Sequence, residues 1–202
     1  MNIEIKKSNK QIPYKFAIKI LEKRVNDIKE GKKNELLWIL EHPLTYTAGI
    51  RYKENELLDK KIRLVKTKRG GKITLHNPGQ KIIYFAIDLS KRKKDVRRFV
   101  KIIEKSIIEF LSIYGIKSRA DRKNIGIWVK NKKIAAIGIR ISKWIAYHGC
   151  AINISNNLDD YKKIIPCGLD NENITSLKLE RKNIININKN IHRIFLKNFN
   201  EI

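Results

Sequence analysis

The sequence predicts a single α/β (α+β) domain over residues 1–202, with a mixed, mostly antiparallel sheet flanked by helices. Its 202 residues can bury about 70% of the surface that the unfolded chain exposes, so folding requires no disulfide or metal. Strand-like apolar runs alternate with two amphipathic segments, and hairpin signals outnumber crossover helices. Because the sequence has neither an internal repeat nor a linker, we expect one domain.

The first half of the chain is predicted to contain one helix and four strands. From Tyr14 to Lys29 apolar side chains recur on one helical face, and Gly31 ends this helix. The apolar run 35–41 is typical of a buried strand, and Pro43 ends it. Three further strands, the first of them weakly patterned, are predicted over residues 62–68, 73–75 and 81–89.

The second half begins with a clearer helix over residues 95–111, which has seven apolar residues on one face and ends by Gly115. Residues 125–141 contain two β-rich runs around a hairpin signal at 129–132. Residues 150–154 form one more predicted strand. From Asn183 onward the chain is polar and repetitive in Ile and Asn, which favours a helix that lies on the surface or is partly frayed.

The charge of the chain is strongly basic, with 45 Lys and Arg against 20 Asp and Glu and a formal net charge of +25. This balance favours an anionic partner, and nucleic acid is the first to consider. However, Lys, Ile and Asn are all encoded by A/T-rich codons, so base composition accounts for part of the charge. The basic residues are spread along the chain without interleaved aromatic residues or a helix-turn-helix motif, so nucleic-acid binding is not favoured.

The location of the protein is also constrained by the sequence. No apolar run approaches the ~20 residues of a membrane span, and the first seven residues lack the pattern of a signal peptide. Two cysteines, Cys150 and Cys167, are too few for a disulfide framework. We therefore expect a reduced, cytoplasmic protein with no membrane partner.

Cys167 is the first candidate for chemistry, because it lies between Pro166 and Gly168 in a loop that exposes its thiol. Cys150, within an apolar run, is instead typical of a buried structural cysteine. The alternative for Cys167 is a small filler residue in a turn. A free thiol with a pKa of about 8.5 is only a few per cent thiolate at neutral pH, so a nucleophile needs a nearby base or cation. The histidines His42, His76 and His148 are the candidate bases.

Lys133 is a second possible activator. Strand alternation places it on the same face as Ala135, Ile137, Ile139 and Ile141. An ammonium on an apolar face is costly, which favours the neutral amine and lets it act as a base. The alternative is a lysine at a hairpin end with its amine in water.

The run Arg69-Gly70-Gly71 predicts a loop whose backbone amides can approach a ligand closely. It matches neither a Walker motif nor a dinucleotide fingerprint, and an ordinary turn would have the same composition.

Five ordered motifs resemble those of the lipoyl(octanoyl) transferase family. They are Glu-His-Pro…Tyr-Thr-x-Gly (41–49), Arg-Gly-Gly…His-x-Pro-Gly-Gln (69–80), Lys-Ile-Ala…Gly-x-Arg (133–140), His-Gly-x-Ala-x-Asn (148–153) and Pro-Cys-Gly (166–168). The resemblance covers about residues 14–177. It implies the fold of biotin and lipoate protein ligases, a mixed sheet flanked by helices.

The resemblance also assigns roles to residues. It implies that Cys167 is the nucleophile that carries an octanoyl thioester and that Lys133 activates it. It further implies an acyl pocket lined by Arg69, Gly70, Gly71, Lys72, Ile73, Thr74, Leu75, His76, Ala136, Ile137, Gly138, Gly149, Cys150 and Ala151.

The reaction implied by the resemblance moves an octanoyl group from octanoyl-acyl carrier protein to the target lysine of a lipoyl domain. The acceptors would be the lipoyl domains of 2-oxoacid dehydrogenases and the glycine cleavage H protein. A monomer that needs no ATP, metal or cofactor and shows ping-pong kinetics is expected. Two residues depart from the family pattern: Asn77 replaces a usual Gly, and Cys150 replaces a larger apolar residue, which would widen the pocket.

Two alternative functions remain at this point. An ATP-dependent lipoate or biotin ligase on the same fold would need a phosphate-binding loop and no cysteine. A nucleic-acid-binding protein would need its basic residues on one face and would not depend on Cys167.

Overall fold

The structure, a computed structural model, describes residues 2–121, 124–166, 173–181 and 183–202. In these ranges the helices are α1 (Tyr14–Lys29), α2 (Val96–Ser112), α3 (Leu177–Glu180) and α4 (Ile187–Phe199). The strands are β1 (Ile3–Lys7), β2 (Glu35–Leu40), β3 (Thr45–Ala48), β4 (Val65–Lys66), β5 (Ile73–His76), β6 (Gln80–Asp88), β7 (Arg119–Ala120), β8 (Ile127–Val129), β9 (Lys132–Ser142) and β10 (Ile145–Asn153).

The described strands form two sheets. The larger has the order β1-β2-β6-β10-β9-β8-β7, in which β1 and β2 are parallel and the other neighbours are antiparallel. The smaller has the order β4-β3-β5, with β3 parallel to β4 and antiparallel to β5. This confirms the predicted fold class, a mixed and mostly antiparallel sheet with flanking helices.

Helices cover both faces of the larger sheet, which explains why its central strands are continuous apolar runs. Alternate residues of β2 point to opposite sides: Leu36 and Trp38 pack with the apolar face of α1, whereas Leu37 and Ile39 pack with α2 and α4. The predicted helices 14–29 and 95–111 are therefore confirmed as the elements that close the core on its two sides.

Helix α4 is more deeply buried than the sequence predicts. Its apolar residues Ile191, Ile194, Phe195 and Phe199 lie in the main core. The Phe199 ring lies 5.5 Å from the rings of both Phe85 and Phe99. The predicted helix is confirmed, but it is neither frayed nor confined to the surface. Asn and Lys dominate the composition of the segment and conceal the apolar residues that share one face.

Two further differences concern strands. The weakly patterned run 62–68 contributes only the two-residue strand β4, and β10 begins five residues before the predicted strand at 150. The turn that joins β9 to β10 consists of Lys143 and Trp144, both with positive φ, 50° and 66°. Two-residue hairpins usually place Asn or Gly at such positions, so the sequence carries no signal for this turn.

No helix among the described residues is long and apolar enough to cross a membrane.

Replacing Phe199 with Ala is expected to lower the free energy of unfolding by about 3–5 kcal/mol, because it removes a fully buried ring from the core. Denaturant unfolding of the purified protein measures this change. Phe16→Ala is the matched control, because Phe16 lies on α1 with 57% of its surface exposed, and this variant should change stability by less than about 0.5 kcal/mol. Equal stability of the two variants would contradict the placement of α4.

Candidate active site

A cavity of about 380 Å³ lies between the larger sheet and the smaller one. Ile82 and Tyr84 of β6 and Ala151 of β10 line it, and these residues are on the face of the sheet that also carries α1. Thr74 and His76 of β5 line the opposite wall, and Tyr14 at the start of α1 lines one side. The cavity is thus enclosed by elements from both sheets and one helix.

Twelve of the fourteen residues predicted to line an acyl pocket line this cavity. They are Arg69, Gly70, Gly71, Lys72, Thr74, His76, Ala136, Ile137, Gly138, Gly149, Cys150 and Ala151. The other two, Ile73 and Leu75, are fully buried in a separate cluster with Tyr46, Tyr161 and Ile164. Strand alternation explains the split, because neighbouring residues of β5 face opposite sides. Whether the twelve bind a substrate stays a prediction.

The floor of the cavity depends on two glycines that face each other, Gly138 of β9 and Gly149 of β10. A Cβ atom at Gly149 would lie 1.8 Å from the carbonyl oxygen of Ile83 on β6, so no larger residue fits at this approach of β10 to β6. A Cβ atom at Gly138 would instead lie 3.4 Å from the carbonyl oxygen of Gly70, in ordinary contact. The close contact with the backbone of β6 therefore allows only glycine at position 149. Glycine at position 138 instead leaves space open in the cavity.

Lys133 lies at one end of the cavity and is only 4% exposed. Its Nζ donates a hydrogen bond of 2.7 Å to the carbonyl oxygen of Ile125 and lies 5.8 Å from the centre of the Trp128 ring. No carboxylate of the described residues lies within ion-pair distance of it. The alternative of a hairpin-end lysine in water is thus wrong. An amine has three donor positions when protonated, so Lys133 retains positions for a ligand or a thiol.

Cys167, the predicted nucleophile, lies outside the described residues, as does Gly168. The residue before it, Pro166, lines a small cavity of about 20 Å³ together with Lys133. On the other side of residues 167–172, the backbone N–H of Thr175 donates to the carbonyl oxygen of Lys133 at 2.9 Å. Both described flanks of the segment therefore reach the strand that carries Lys133.

The three candidate histidines differ in what they contact. His42 is fully buried, with Nδ1 bonded to the carbonyl oxygen of Ile12 and Nε2 2.9 Å from Tyr84 Oη. Because the carbonyl can only accept, Nδ1 carries the proton and Nε2 accepts from the tyrosine. Burial lowers the pKa of His42 to about 4, so the ring is neutral at pH 7. Both ring nitrogens are engaged, which leaves His42 without a free atom for thiol activation.

His76 lines the cavity beside the stacked ring of Tyr14, 5.7 Å away. Its Nδ1 donates to Oε1 of Gln80 at 2.8 Å, since the amide nitrogen of Gln80 donates to Asn153. Burial, followed by the nearby His42, lowers the pKa of His76 to about 3. This wall of the cavity therefore presents a neutral imidazole.

His148 contributes a third buried imidazole, which also lines the cavity. It is 3% exposed with φ at +68°, and its ring stacks on Tyr147 at 4.7 Å. Neither ring nitrogen has a hydrogen-bond partner among the described residues. Burial, followed by the charges of Arg69 and Arg140, lowers its pKa to about 4. Since buried polar atoms are normally paired, a ligand in the cavity is the natural partner for this imidazole.

The glycine-rich loop of residues 69–71 is fixed over β9. The Arg69 guanidinium donates to the carbonyl oxygen and hydroxyl of Thr47 at 2.9 and 2.8 Å and to the carbonyl oxygen of Gly70 at 2.9 Å. The N–H of Gly70 donates to the carbonyl oxygen of Ile139 at 3.3 Å. Arg51 and Lys72 also line the cavity. Because Lys72 is ion-paired with Glu56 at 2.7 Å, the positive charge of this side comes from Arg51 and Arg69.

The two departures from the family pattern have different consequences. At Asn77 the turn is retained, with the N–H of Gln80 donating to the Asn77 carbonyl oxygen at 3.1 Å. The Asn77 amide adds bonds to the carbonyl oxygen of Asn157 and to Asp160 Oδ2. Cys150 is buried, as predicted for a structural cysteine, and burial raises the pKa of its thiol.

Several lining residues carried no sequence signal for the cavity. These are Tyr14, Arg51, Ile82, Tyr84, Asn124 and Ile125. Tyr14 and Tyr84 look like ordinary core positions of a helix and a strand, and only the packing of α1 against β6 brings them to the site.

Solved structures of lipoate and biotin protein ligases have the same fold. A crystal structure of lipoate-protein ligase A bound with ATP matches with a TM-score of 0.74 at 14% identity, covering 98% of this chain and 85% of that chain. A bipartite lipoate protein ligase from Thermoplasma acidophilum matches with a TM-score of 0.70 at 14% identity, covering 99% of this chain and 84% of that chain. The protein therefore has the fold of the lipoate and biotin protein ligases.

The sequence comparisons narrow this class to a family. The family model of the lipoyl protein ligase A/B catalytic domain matches residues 13–199. An octanoyltransferase of Ehrlichia chaffeensis is 45% identical over 207 aligned positions, covering 99% of this chain and 95% of that protein. An octanoyltransferase of Wolbachia sp. subsp. Brugia malayi is 43% identical, and the match covers 85% of this chain and 86% of that protein. The chain belongs to the lipoyl protein ligase A/B catalytic domain family.

Gly149→Ala is expected to lower the free energy of unfolding by about 3 kcal/mol, because the new methyl group collides with the backbone of β6. Gly138→Ala, the matched change on the facing strand, should lower it by less than about 1 kcal/mol, since its methyl group enters the cavity. Chemical denaturation of both variants provides the comparison. Similar losses for the two variants would argue against the close approach of β10 to β6.

Lowering the pH from 7 to 5 is expected to destabilise the protein. The pKa values of His42, His76 and His148 are about 4, 3 and 4 in the folded state, against an ordinary value of 6.5. Below pH 6.5 the unfolded chain therefore binds more protons, and the free energy of unfolding falls by up to about 1.4 kcal/mol per pH unit for each histidine. Urea unfolding at several pH values measures the slope.

His148→Gln serves as the comparison, because it removes one of the three groups and should reduce the slope by about a third. A stability that does not change between pH 7 and pH 5 would show that the three imidazoles are not held neutral by burial.

Proposed function

We propose that the protein is an acyltransferase that moves an octanoyl group from octanoyl-acyl carrier protein to the target lysine of a lipoyl domain. The octanoyltransferases to which it is 43–45% identical over most of the chain support this reaction. The observation that carries the mechanism is the buried Lys133, which lines one small cavity with Pro166, the residue before Cys167.

In the first half of the reaction Cys167 takes the acyl group. Lys133 accepts the thiol proton, and the Cys167 thiolate attacks the carbonyl carbon of the donor thioester. The carbon–sulfur bond to the carrier breaks, and the carrier thiolate takes the proton back from Lys133. One thioester replaces another, so the step is nearly isoenergetic and requires no ATP.

In the second half the acyl group passes to the acceptor. The lysine amine of the lipoyl domain attacks the carbonyl carbon of the Cys167 thioester, an amide bond forms, and the carbon–sulfur bond to Cys167 breaks. The proton lost by the amine passes to the Cys167 thiolate, which regenerates the thiol. Amide formation makes this half favourable. Because the carrier departs before the acceptor is acylated, the enzyme follows ping-pong kinetics.

The cavity offers the acyl chain an apolar surface beside Lys133. Ala136 and Ile137 of β9 and Cys150 and Ala151 of β10 line it near Lys133. Each methylene that leaves water for such a surface contributes about 0.8 kcal/mol to binding. The predicted set from Arg69 to His76 would bind the chain from the other side, with the exception of Ile73 and Leu75, which support that wall from behind.

The charge of the protein fits acidic partners. With a net charge of +25, and Arg51 at the cavity, the surface would attract acidic carrier and lipoyl domains and accelerate their encounter at low salt. The acceptors would be the lipoyl domains of 2-oxoacid dehydrogenases and the glycine cleavage H protein. We propose that the enzyme works in the cytoplasm as a monomer.

The intact mass of the protein after mixing with octanoyl-acyl carrier protein, without ATP, tests this function. The wild type should gain one octanoyl group that hydroxylamine removes, and Cys167→Ser should gain none that hydroxylamine removes. Lys133→Met should form the adduct at least about 10²-fold more slowly, because the base is lost. Cys150→Ser is the matched cysteine control and should be acylated like the wild type.

A folded wild type that gains no octanoyl group from an intact donor would refute the thioester mechanism. Octanoate and ATP, added with an apo lipoyl domain, then distinguish the alternative. Acylation that depends on ATP would identify a ligase.

A further inference from the structure

The buried end of the cavity carries a polar side chain that the proposed reaction does not use. At the open end the lining residues Arg51 and Ile125 are exposed, and the carbonyl oxygen of Ile125 accepts from Lys133. Away from this opening the lining residues are buried, and His148 is only 3% exposed. A purely apolar acyl chain has no group that bonds an imidazole, so octanoyl binding alone does not account for His148.

The backbone of β10 departs from regular strand geometry at His148. In a regular strand neighbouring side chains point to opposite faces, so the imidazole would face away from Tyr147. The φ of +68° at His148 instead places the imidazole on the side of Tyr147, on whose ring it stacks at 4.7 Å. A positive φ is uncommon for residues other than glycine, and strained residues of this kind concentrate at functional sites. The conformation thus points to a role for His148 in the cavity.

The imidazole of His148 has unused hydrogen-bonding capacity. Within the described ranges neither of its ring nitrogens has a hydrogen-bond partner, whereas His42 and His76 are bonded to neighbouring groups. Because burial lowers the pKa of His148 to about 4, the ring is neutral at pH 7 and offers one donor and one acceptor. A hydroxyl group both donates and accepts, so it can pair with this ring whichever nitrogen holds the proton.

The cavity is long enough to bring the far end of an eight-carbon chain to His148. In the register of β10 and β9 His148 faces Ile139, which lies six residues along the chain from Lys133. Six residues of strand span about 20 Å. The Lys133 side chain and the imidazole occupy part of this span, and an extended octanoyl chain of about 9 Å fits between them. A chain with its carbonyl end at Lys133 would therefore end beside the imidazole.

We propose that His148 is a specificity-determining residue, which hydrogen-bonds a hydroxyl group at the far end of an acyl chain, so that the cavity binds ω-hydroxyacyl chains more tightly than octanoyl. This inference rests on the proposed function for the position of the carbonyl end at Lys133. It goes beyond that function because the methyl end of octanoyl leaves both ring nitrogens of His148 unpaired, and an unpaired buried polar group is costly.

The test measures the dissociation constants of octanoate and 8-hydroxyoctanoate by calorimetry on the purified protein. His148→Leu keeps the approximate size of the side chain and removes both ring nitrogens, whereas His148→Gln keeps a donor and an acceptor. His192→Leu is the matched control, because His192 lies on α4 and is not among the residues that line the cavity.

The wild type is expected to bind 8-hydroxyoctanoate about 10-fold more tightly than octanoate, and His148→Leu should lose or reverse this preference because the hydroxyl then has no partner. His148→Gln should keep part of the preference, and His192→Leu should keep all of it. Without ligand, the Tm of His148→Leu should be no lower than that of the wild type, because the substitution removes an unpaired buried polar group.

Nuclear magnetic resonance provides a second measurement that needs no substitution at the binding step. The ring-nitrogen signals of His148 are identified by their absence from the spectrum of His148→Gln. In the wild type 8-hydroxyoctanoate should shift these signals, and octanoate should leave them nearly unchanged. This measurement and His148→Gln decide the question even if His148→Leu does not fold.

An equal ratio of the two dissociation constants in the wild type and the His148 variants would overturn the inference. Equal shifts of the His148 signals with both acids, or a failure of both acids to bind, would also overturn it. None of these measurements involves a thioester. A wild type that octanoyl-acyl carrier protein never acylates, but that prefers the hydroxy acid through His148, would therefore refute the proposed function and support the specificity of the cavity.

Discussion

The close approach of β10 to β6 is the constraint on which the site depends. At Gly149 the two strands are so near that a single methyl group would collide with the carbonyl oxygen of Ile83. This approach gives the cavity a floor made of backbone, with Gly138 opposite, rather than of side chains. The walls then follow from the order of the strands, because β9 brings Lys133 to one end and β6 brings Tyr84 to the face that α1 begins to cover at Tyr14.

The fold shared with lipoate and biotin protein ligases does not by itself select a reaction. The surroundings of individual side chains bear more directly on the reaction than the fold does. Within the part of the chain that the structure describes, Lys133 contacts a carbonyl oxygen and an aromatic ring rather than a carboxylate. Cys150 shares the cavity but lies in the apolar core, where its thiol is unsuited to nucleophilic attack. The burial of Cys150 is therefore that of a structural cysteine.

Local pattern was sufficient for much of the fold and insufficient for the details of the site. The 3.6-residue period of α1 was visible because its buried residues lie on one face. The apolar runs of β2 and β6 were visible because both faces of these strands are buried. The burial of α4 was hidden by its polar composition, in which exposed Lys189, Arg193 and Lys197 alternate with buried apolar residues. The roles of Ile73 and Leu75 depend on which neighbour each side chain meets, and that is decided by tertiary packing rather than by the residues beside them.

The depth at which α4 is packed has a consequence for the synthesis of the chain. All ten described strands are translated before residue 187, yet the face of the sheet that carries Phe85 is covered only in part, by α2, until α4 adds Phe195 and Phe199. A nascent or prematurely terminated chain that stops before α4 would expose this aromatic surface to water. Such a product is a natural substrate for chaperones and proteases, so cellular quality control would detect a truncation that leaves every strand and every cavity residue intact.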